Sequence, residues 1–174
     1  MRKLAMGMLS VLMVACFAFV ASAQGNPRGT STLTLNGKTV SVDYGRPSLK
    51  GRTTDELLGR LGPGGVWRLG ADTSTTFKTE IALAFGDVTV PAGEYSLWMQ
   101  RQSDNSWKLL FNKQHGQWGT QHDASQDLVS VPLNESKPAE PVEMVTLTLA
   151  KAGHGGTLTI QWGTLEAAAS FKAK

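Results

Sequence analysis

The chain has 174 residues, with 17 Lys and Arg against 14 Asp and Glu, 19 glycines and one cysteine. That cysteine, Cys16, falls in the first 23 residues, so disulfides, thiolate metal sites and a cysteine nucleophile are excluded from the remainder. No block of like charge occurs, and setting aside Arg2 and Lys3 brings the basic and acidic counts close to parity. Both facts argue against nucleic-acid or membrane-surface binding.

The chain opens on Arg2-Lys3, an apolar run from Leu4 to Val20, and Ala21-Ser22-Ala23, a small-residue A-x-A site. That layout predicts a secretory signal peptide over residues 1–23, cleaved after Ala23. The run contains Gly7 and Ser10 and is short for a permanent span of about 20 residues. The rival is lipoprotein processing at Cys16, with Met13-Val14-Ala15-Cys16 as a loose lipobox. The apolar Phe17 to Val20 beyond the cysteine argue against it. Residues 24–174 then suit a single exported domain, periplasmic or extracellular, held together by its core rather than by disulfides.

Leu33 and Leu35 alternate with threonines, then Asn36-Gly37 interrupts, then Val40, Val42 and Tyr44 alternate with Thr39, Ser41 and Asp43. Asn-Gly between two such runs predicts a tight β-hairpin, because both residues tolerate positive φ. Arg46-Pro47-Ser48 stops the second strand. Thr53-Thr54-Asp55-Glu56 before Leu57-Leu58 reads as a capping box that opens one or two helical turns, ending near Gly59. Gly62-Pro63-Gly64-Gly65 is a turn cluster leading to a short strand with Val66, Trp67 and Arg68.

Thr75 to Phe85 alternates again, with Phe77, Ile81, Leu83 and Phe85 on one parity. Val88 to Val90 is a short strand before a Pro91-Ala92-Gly93 turn. A second hairpin follows, with Ser103-Asp104-Asn105 in its loop. A polar loop runs from Gln114 to Asp127, and Leu128 to Leu133 is a strand with Pro132 at an edge or end. Val142 to Leu149 and Thr157 to Trp162 flank Gly153-His154-Gly155-Gly156. Leu165 to Phe171 reads as strand or helix, since Ala167-Ala168-Ala169 favours helix locally. The whole predicts an all-β fold: an antiparallel β-sandwich of about eight to ten short strands with one short helix, a closed barrel being the alternative.

Four stretches, VDYGRPSLKGR (Val42 to Arg52), GVWRLGADTSTTF (Gly65 to Phe77), VPAGEYSLW (Val90 to Trp98) and FNKQHGQWG (Phe111 to Gly119), occur in an order that resembles the bacterial family known as domain of unknown function 2911. The resemblance runs from about Leu33 to the C-terminus. It implies an exported or cell-envelope β-rich protein and supplies neither activity nor catalytic residues. The Gly-rich Leu61 to Gly65 departs from a bulkier, more polar approach to the Trp-Arg pair in relatives.

Candidate recognition residues are Arg46, Arg52 and Arg68 at turns and strand ends, Trp67 and Trp98 near such ends, and Asn112, Lys113 and Trp118 of the polar loop. Gathered at one end of a sandwich, guanidinium groups would read carboxylates or phosphates, and indoles would stack on sugars or hold a cation. The competing reading is architectural and is preferred: Arg68 pairs with Asp72 or Asp43, and Trp67 fills the core. For the polar loop, recognition stands against a fold in which Trp118 packs back and Asn112 and Gln117 bond the backbone. His115, His122 and Asp123 are weak metal candidates, and Asp43 a weak general base. No G-x-S-x-G, no phosphate-binding glycine loop and no cofactor motif is present. Three functions follow: a non-enzymatic binding module for a small polar or anionic ligand, an envelope protein–protein interaction module, or a metal-assisted hydrolase using Asp43, His115, His122 or Asp123.

Overall fold

The computed structural model describes residues 25–174; the predicted signal peptide and its cleavage site lie outside them. Strands β1 (Arg28–Leu35) and β2 (Lys38–Gly45) form the expected hairpin, with Leu35 opposite Lys38. Asn36 and Gly37 take φ of 52° and 73°, the left-handed pair that a two-residue turn between right-twisted strands requires. Period-two alternation then buries Leu35, Val40, Val42 and Tyr44 and leaves Asp43 on the outer face.

Helix α1 (Thr54–Leu58) carries the predicted capping box. Thr53 Oγ1 accepts from the Glu56 N–H at 3.2 Å, and Glu56 Oε2 accepts from the Thr53 N–H at 2.7 Å. The helix stops at Gly59, whose N–H donates to Asp55 O at 2.8 Å.

Strands β3 (Val66–Trp67), β4 (Thr76–Thr79), β5 (Leu83–Phe85), β6 (Val88–Val90), β7 (Gly93–Arg101), β8 (Trp107–Asn112), β9 (Asp127–Pro132), β10 (Asn134–Ser136), β11 (Val142–Ala152), β12 (Gly155–Gly163) and β13 (Leu165–Ala173) complete the chain. They form two antiparallel sheets. One has seven strands in the order β1-β2-β4-β7-β8-β9, with β3 on β7; the other has six in the order β11-β12-β13-β5-β6, with β10 on β13. The fold is a sandwich and not a closed barrel.

The alternating stretch from Thr75 to Phe85 is divided between the sheets: β4 pairs β2 and β7, whereas β5 pairs β13 and β6. Side chains replace the ladder at the crossing. Thr79 Oγ1 donates to Ile81 O at 2.6 Å and accepts from Ile81 N–H at 3.3 Å, and Glu80 accepts from Thr39 N–H at 2.7 Å. Parity survives, so Phe77, Leu83 and Phe85 all face inward.

The Ala-rich segment is strand β13, paired with β12 on one side and with β5 and β10 on the other. Its inward positions, Ala167 and Ala169, are buried in the core, and pairing overrides the local helical preference.

The β11 edge is covered by the chain after β2: Leu49 N–H donates to Glu143 O at 3.0 Å, Val145 N–H to Pro47 O at 3.1 Å, and Arg46 Nε to Val145 O at 3.2 Å. Between the sheets, Phe111 meets Phe77, Phe85 and Tyr95 at ring-centroid distances of 5.4, 5.3 and 6.0 Å. Phe85 reaches on to Phe171 at 5.1 Å.

Phe111→Ala is expected to remove about 3–5 kcal/mol of stability. Urea unfolding should show a lower midpoint at unchanged slope; an unaltered midpoint would show that the aromatic cluster does not hold the sheets together.

Candidate functional site

Strand β3 is only two residues long, with Val66 opposite Gln100 and Trp67 opposite Met99. Trp67 points inward and stacks on Trp162 of the other sheet, ring centroids 5.4 Å apart and planes 9° from parallel. Its neighbours Val66 and Arg68 therefore face out. Beyond Arg68 the chain curls through Leu69 (φ 54°) and Asp72 (φ 62°). Gly70 packs so closely that a Cβ there would lie 2.9 Å from both Gly45 O and Thr75 Oγ1.

This curl settles the partners of Arg68. Asp72 turns toward the N-terminal residues and accepts from Asn26 N–H at 2.9 Å. Asp43 faces β1, where Thr30 Oγ1 donates to it at 3.1 Å and Arg28 forms an ion pair with it. The expected pairing of Arg68 with Asp72 or Asp43 is therefore not made. Arg68 donates from Nε to its own loop, to Gly70 O at 3.1 Å, and forms no ion pair among the described residues.

Arg52, Trp67 and Arg68 line one cleft of about 280 Å³, together with Leu57, Leu58 and Trp162. Arg52 is anchored through Nε to Leu49 O at 2.9 Å. No carboxylate lines this cleft. The closest acid along the chain, Glu56, is engaged in the capping box, and its carboxyl is held below its usual value. The Thr53 N–H is the largest cause, then the Thr53 hydroxyl, with Arg52 and Arg60 adding to it. A second cleft of about 340 Å³ adjoins it, sharing Leu57, Leu58, Trp67 and Arg68 and adding Leu61, Val66, Trp98 and His122.

The polar loop after β8 folds over the outer face of the seven-stranded sheet. It covers Ser96, Trp98, Leu110 and Asn112, all nearly or fully buried although they point away from the sandwich core. Asn112 Nδ2 donates to Asp123 O at 2.8 Å and to Asp127 Oδ1 at 2.7 Å, and its Oδ1 accepts from Gln114 N–H at 2.9 Å. Gln117 Nε2 donates to Ser96 Oγ at 3.2 Å, and the Gln117 carbonyl accepts from Ser74 N–H at 2.9 Å. Asn112 and Gln117 thus hold the loop down, yet Trp118 remains 53% exposed.

Of the sequence candidates, Arg52, Trp67 and Arg68 converge in one cleft and Trp98 joins the adjoining one. Arg46 is spent on the β11 edge, Asn112 on the loop, and Lys113 and Trp118 are exposed and line neither cleft, although Gly119 and Thr120 beside Trp118 line the second. The potential metal ligands do not gather. His122 Nε2 meets Asp127 Oδ1 at 2.9 Å and its ring packs 4.7 Å from Trp98. Asp123 caps the following turn through Ser125, whose hydroxyl and N–H hold the carboxyl below its usual value. His115 lies 3.6 Å from Glu94. Among the described residues no group of three or more His, Cys, Asp or Glu side chains could hold a metal ion. Trp162 and Asp127 escaped sequence reasoning, since each acquires its role only through pairing with a distant strand or loop.

Two outcomes check this construction. Asn112→Ala should cost about 1–3 kcal/mol, because buried partners lose their bonds, and should speed amide exchange across residues 113–126; unchanged exchange would show that the loop is held by other contacts. The lowered Glu56 carboxyl contributes stability that is present above its ordinary value of 4.5 and is lost as pH falls through its lower folded value. Glu56→Gln keeps the capping geometry without titrating, so its stability should fall less steeply than wild type between 4.5 and that lower value; parallel acid limbs would exclude the capping box as a contributor.

No curated protein and no solved structure matches the chain. The sequence profile of the family described as "Protein of unknown function (DUF2911)" matches residues 26–171, nearly the entire described fold. The chain therefore belongs to that family.

Proposed function

We propose that this chain is an exported, non-enzymatic binding module that takes a small anionic ligand between Arg52 and Arg68. One observation carries the reading: two guanidinium groups line a single cleft that contains no carboxylate. Arg52 acts on Glu56, which lies outside this cleft, but Arg68 has no acid to answer it among the described residues, and a guanidinium left so beside an apolar floor is a poor solution for stability and a good one for recognition. A bound carboxylate or phosphate would accept parallel N–H bonds from the planar fork, beside the apolar side chains of Trp67, Trp162 and Leu57. The lining holds no Ser, Asp, Glu or His to act as nucleophile or general base, which favours binding over turnover. Export rests on the leader-like layout of residues 1–23.

A second reading, docking of an envelope protein, has the exposed Trp118 in its favour. The two are separated by one thermal-shift panel of inorganic phosphate, phosphorylated sugars and dicarboxylates. At a hundredfold excess over Kd, a ligand confined to the native state adds about 2.7 kcal/mol, which raises the midpoint by roughly 5–10 °C for a domain of this size. Arg68→Ala breaks no ion pair and only the Nε bond to Gly70 O, so it should fold with a midpoint lowered by no more than a few degrees, about 1 kcal/mol, and lose the shift. Trp118→Ala should fold and keep it. A panel without any shift, or a shift that survives in both Arg52→Ala and Arg68→Ala, would rule out the cleft as an anion site.

A further inference from the structure

The anion cleft does not end at Arg68. Beside that side chain lies the second cleft, whose walls include the apolar Leu57, Leu61 and Val66 together with Gly119, Thr120 and His122. Leu57, Leu61 and Val66 are each only partly buried, so an apolar strip faces solvent beside the Arg68 guanidinium, which forms no ion pair among the described residues, and Arg52 follows in the adjoining cleft. The strip also lacks any carboxylate. Its one imidazole, His122, has Nε2 committed to Asp127 and its ring against Trp98. The two clefts share Leu57, Leu58, Trp67 and Arg68, which places Arg68 at their junction. A ligand that is only an anion would leave the strip wet; a neutral apolar ligand would leave the guanidinium groups unanswered.

Resting on the anion reading above, we infer that the two clefts are subsites of one site for an amphipathic carboxylate: the carboxylate sits on Arg68 and Arg52, and a short acyl or aryl body lies along Leu57, Leu61 and Val66. A carboxylate matches the flat guanidinium fork in two parallel hydrogen bonds. The apolar body gains by removing hydrocarbon from water, and the cleft of about 340 Å³ limits it to a short chain. Binding needs no proton or electron transfer and no co-reactant.

Titration calorimetry of the purified protein with acetate, butyrate, hexanoate and octanoate, alongside inorganic phosphate and 1-octanol, tests this. Each added methylene should tighten carboxylate binding by about three- to fourfold until the cleft is full. 1-Octanol should bind at least tenfold more weakly than octanoate. Leu61→Asn, which adds no charge beside Arg68, should weaken octanoate by at least tenfold and leave phosphate unchanged; Val66→Thr, close to isosteric and a good strand former, is the second variant should Leu61→Asn not fold, and should weaken octanoate about threefold. Phosphate binding that depends on Arg68, with carboxylate affinity independent of chain length, would overturn the amphipathic site and leave the anion site standing. Octanoate binding unchanged in both apolar variants would likewise overturn it. Absence of binding by every carboxylate and by phosphate would remove both readings together.

Discussion

The stack of Trp67 on Trp162 decides what the rest of this end of the sandwich can do. Each indole belongs to a different sheet, so the contact ties the two layers where no disulfide is present to do so. Because β3 is only two residues long, turning Trp67 inward sends Arg68 outward without a long ladder to position it. The left-handed curl at Leu69 and Asp72 then carries the nearest acid away to Asn26. An unpaired Arg68 is the geometric consequence of an inward Trp67.

The same end carries a cost that a core built for stability alone would avoid. The Trp162 Nε1 is buried and makes no hydrogen bond among the described residues. A buried donor left without an acceptor forfeits about 1–3 kcal/mol. The sandwich absorbs this because the far end is well packed: Phe77, Phe85, Phe111 and Phe171 are all at most 3% exposed and in mutual contact. Stability is concentrated at the Phe111 end and open chemistry at the Trp67 end, an uneven division that matches recognition sites carried on a rigid scaffold.

Local features were legible in the sequence because they are set within a few residues. Asn36-Gly37 can make its turn whatever the rest of the chain does, and Thr53 and Glu56 cap each other across one helical turn. Alternation marked the inward faces of β2, β4 and β5 correctly, since parity does not depend on which strand lies alongside. Partners were another matter. Asp43 finds Arg28 because β1 and β2 are in a register that sets Thr30 opposite Asp43 and Arg28 opposite Gly45, a diagonal relation no composition reveals. Likewise, Arg46 and Arg52 are six residues apart in similar turns, yet Arg46 is consumed at the β11 edge while Arg52 reaches the cleft. β13 resisted assignment for the converse reason: its alanines are helical by preference, and only neighbours distant in sequence make small inward side chains the better choice.

The walls of the proposed site are held independently of one another. Leu57 and Leu58 are set by the capping box, Trp67 by its stack on Trp162, and Arg52 by Leu49 O. Trp98 is held from the outer face, by the bond from its Nε1 to Ser96 Oγ at 2.9 Å and by the loop that Asn112 and Gln117 pin down. A ligand entering such a frame would order few side chains, so little of its interaction energy would be lost to entropy. What it would have to overcome is desolvation of Arg68 and Arg52, and that penalty falls most for a ligand that brings both a charge to meet the guanidinium groups and hydrocarbon to displace water from Leu61 and Val66. The chemistry of the two subsites is thus coupled: filling the apolar strip lowers the local dielectric and makes each guanidinium–carboxylate bond stronger than it would be in an open cleft.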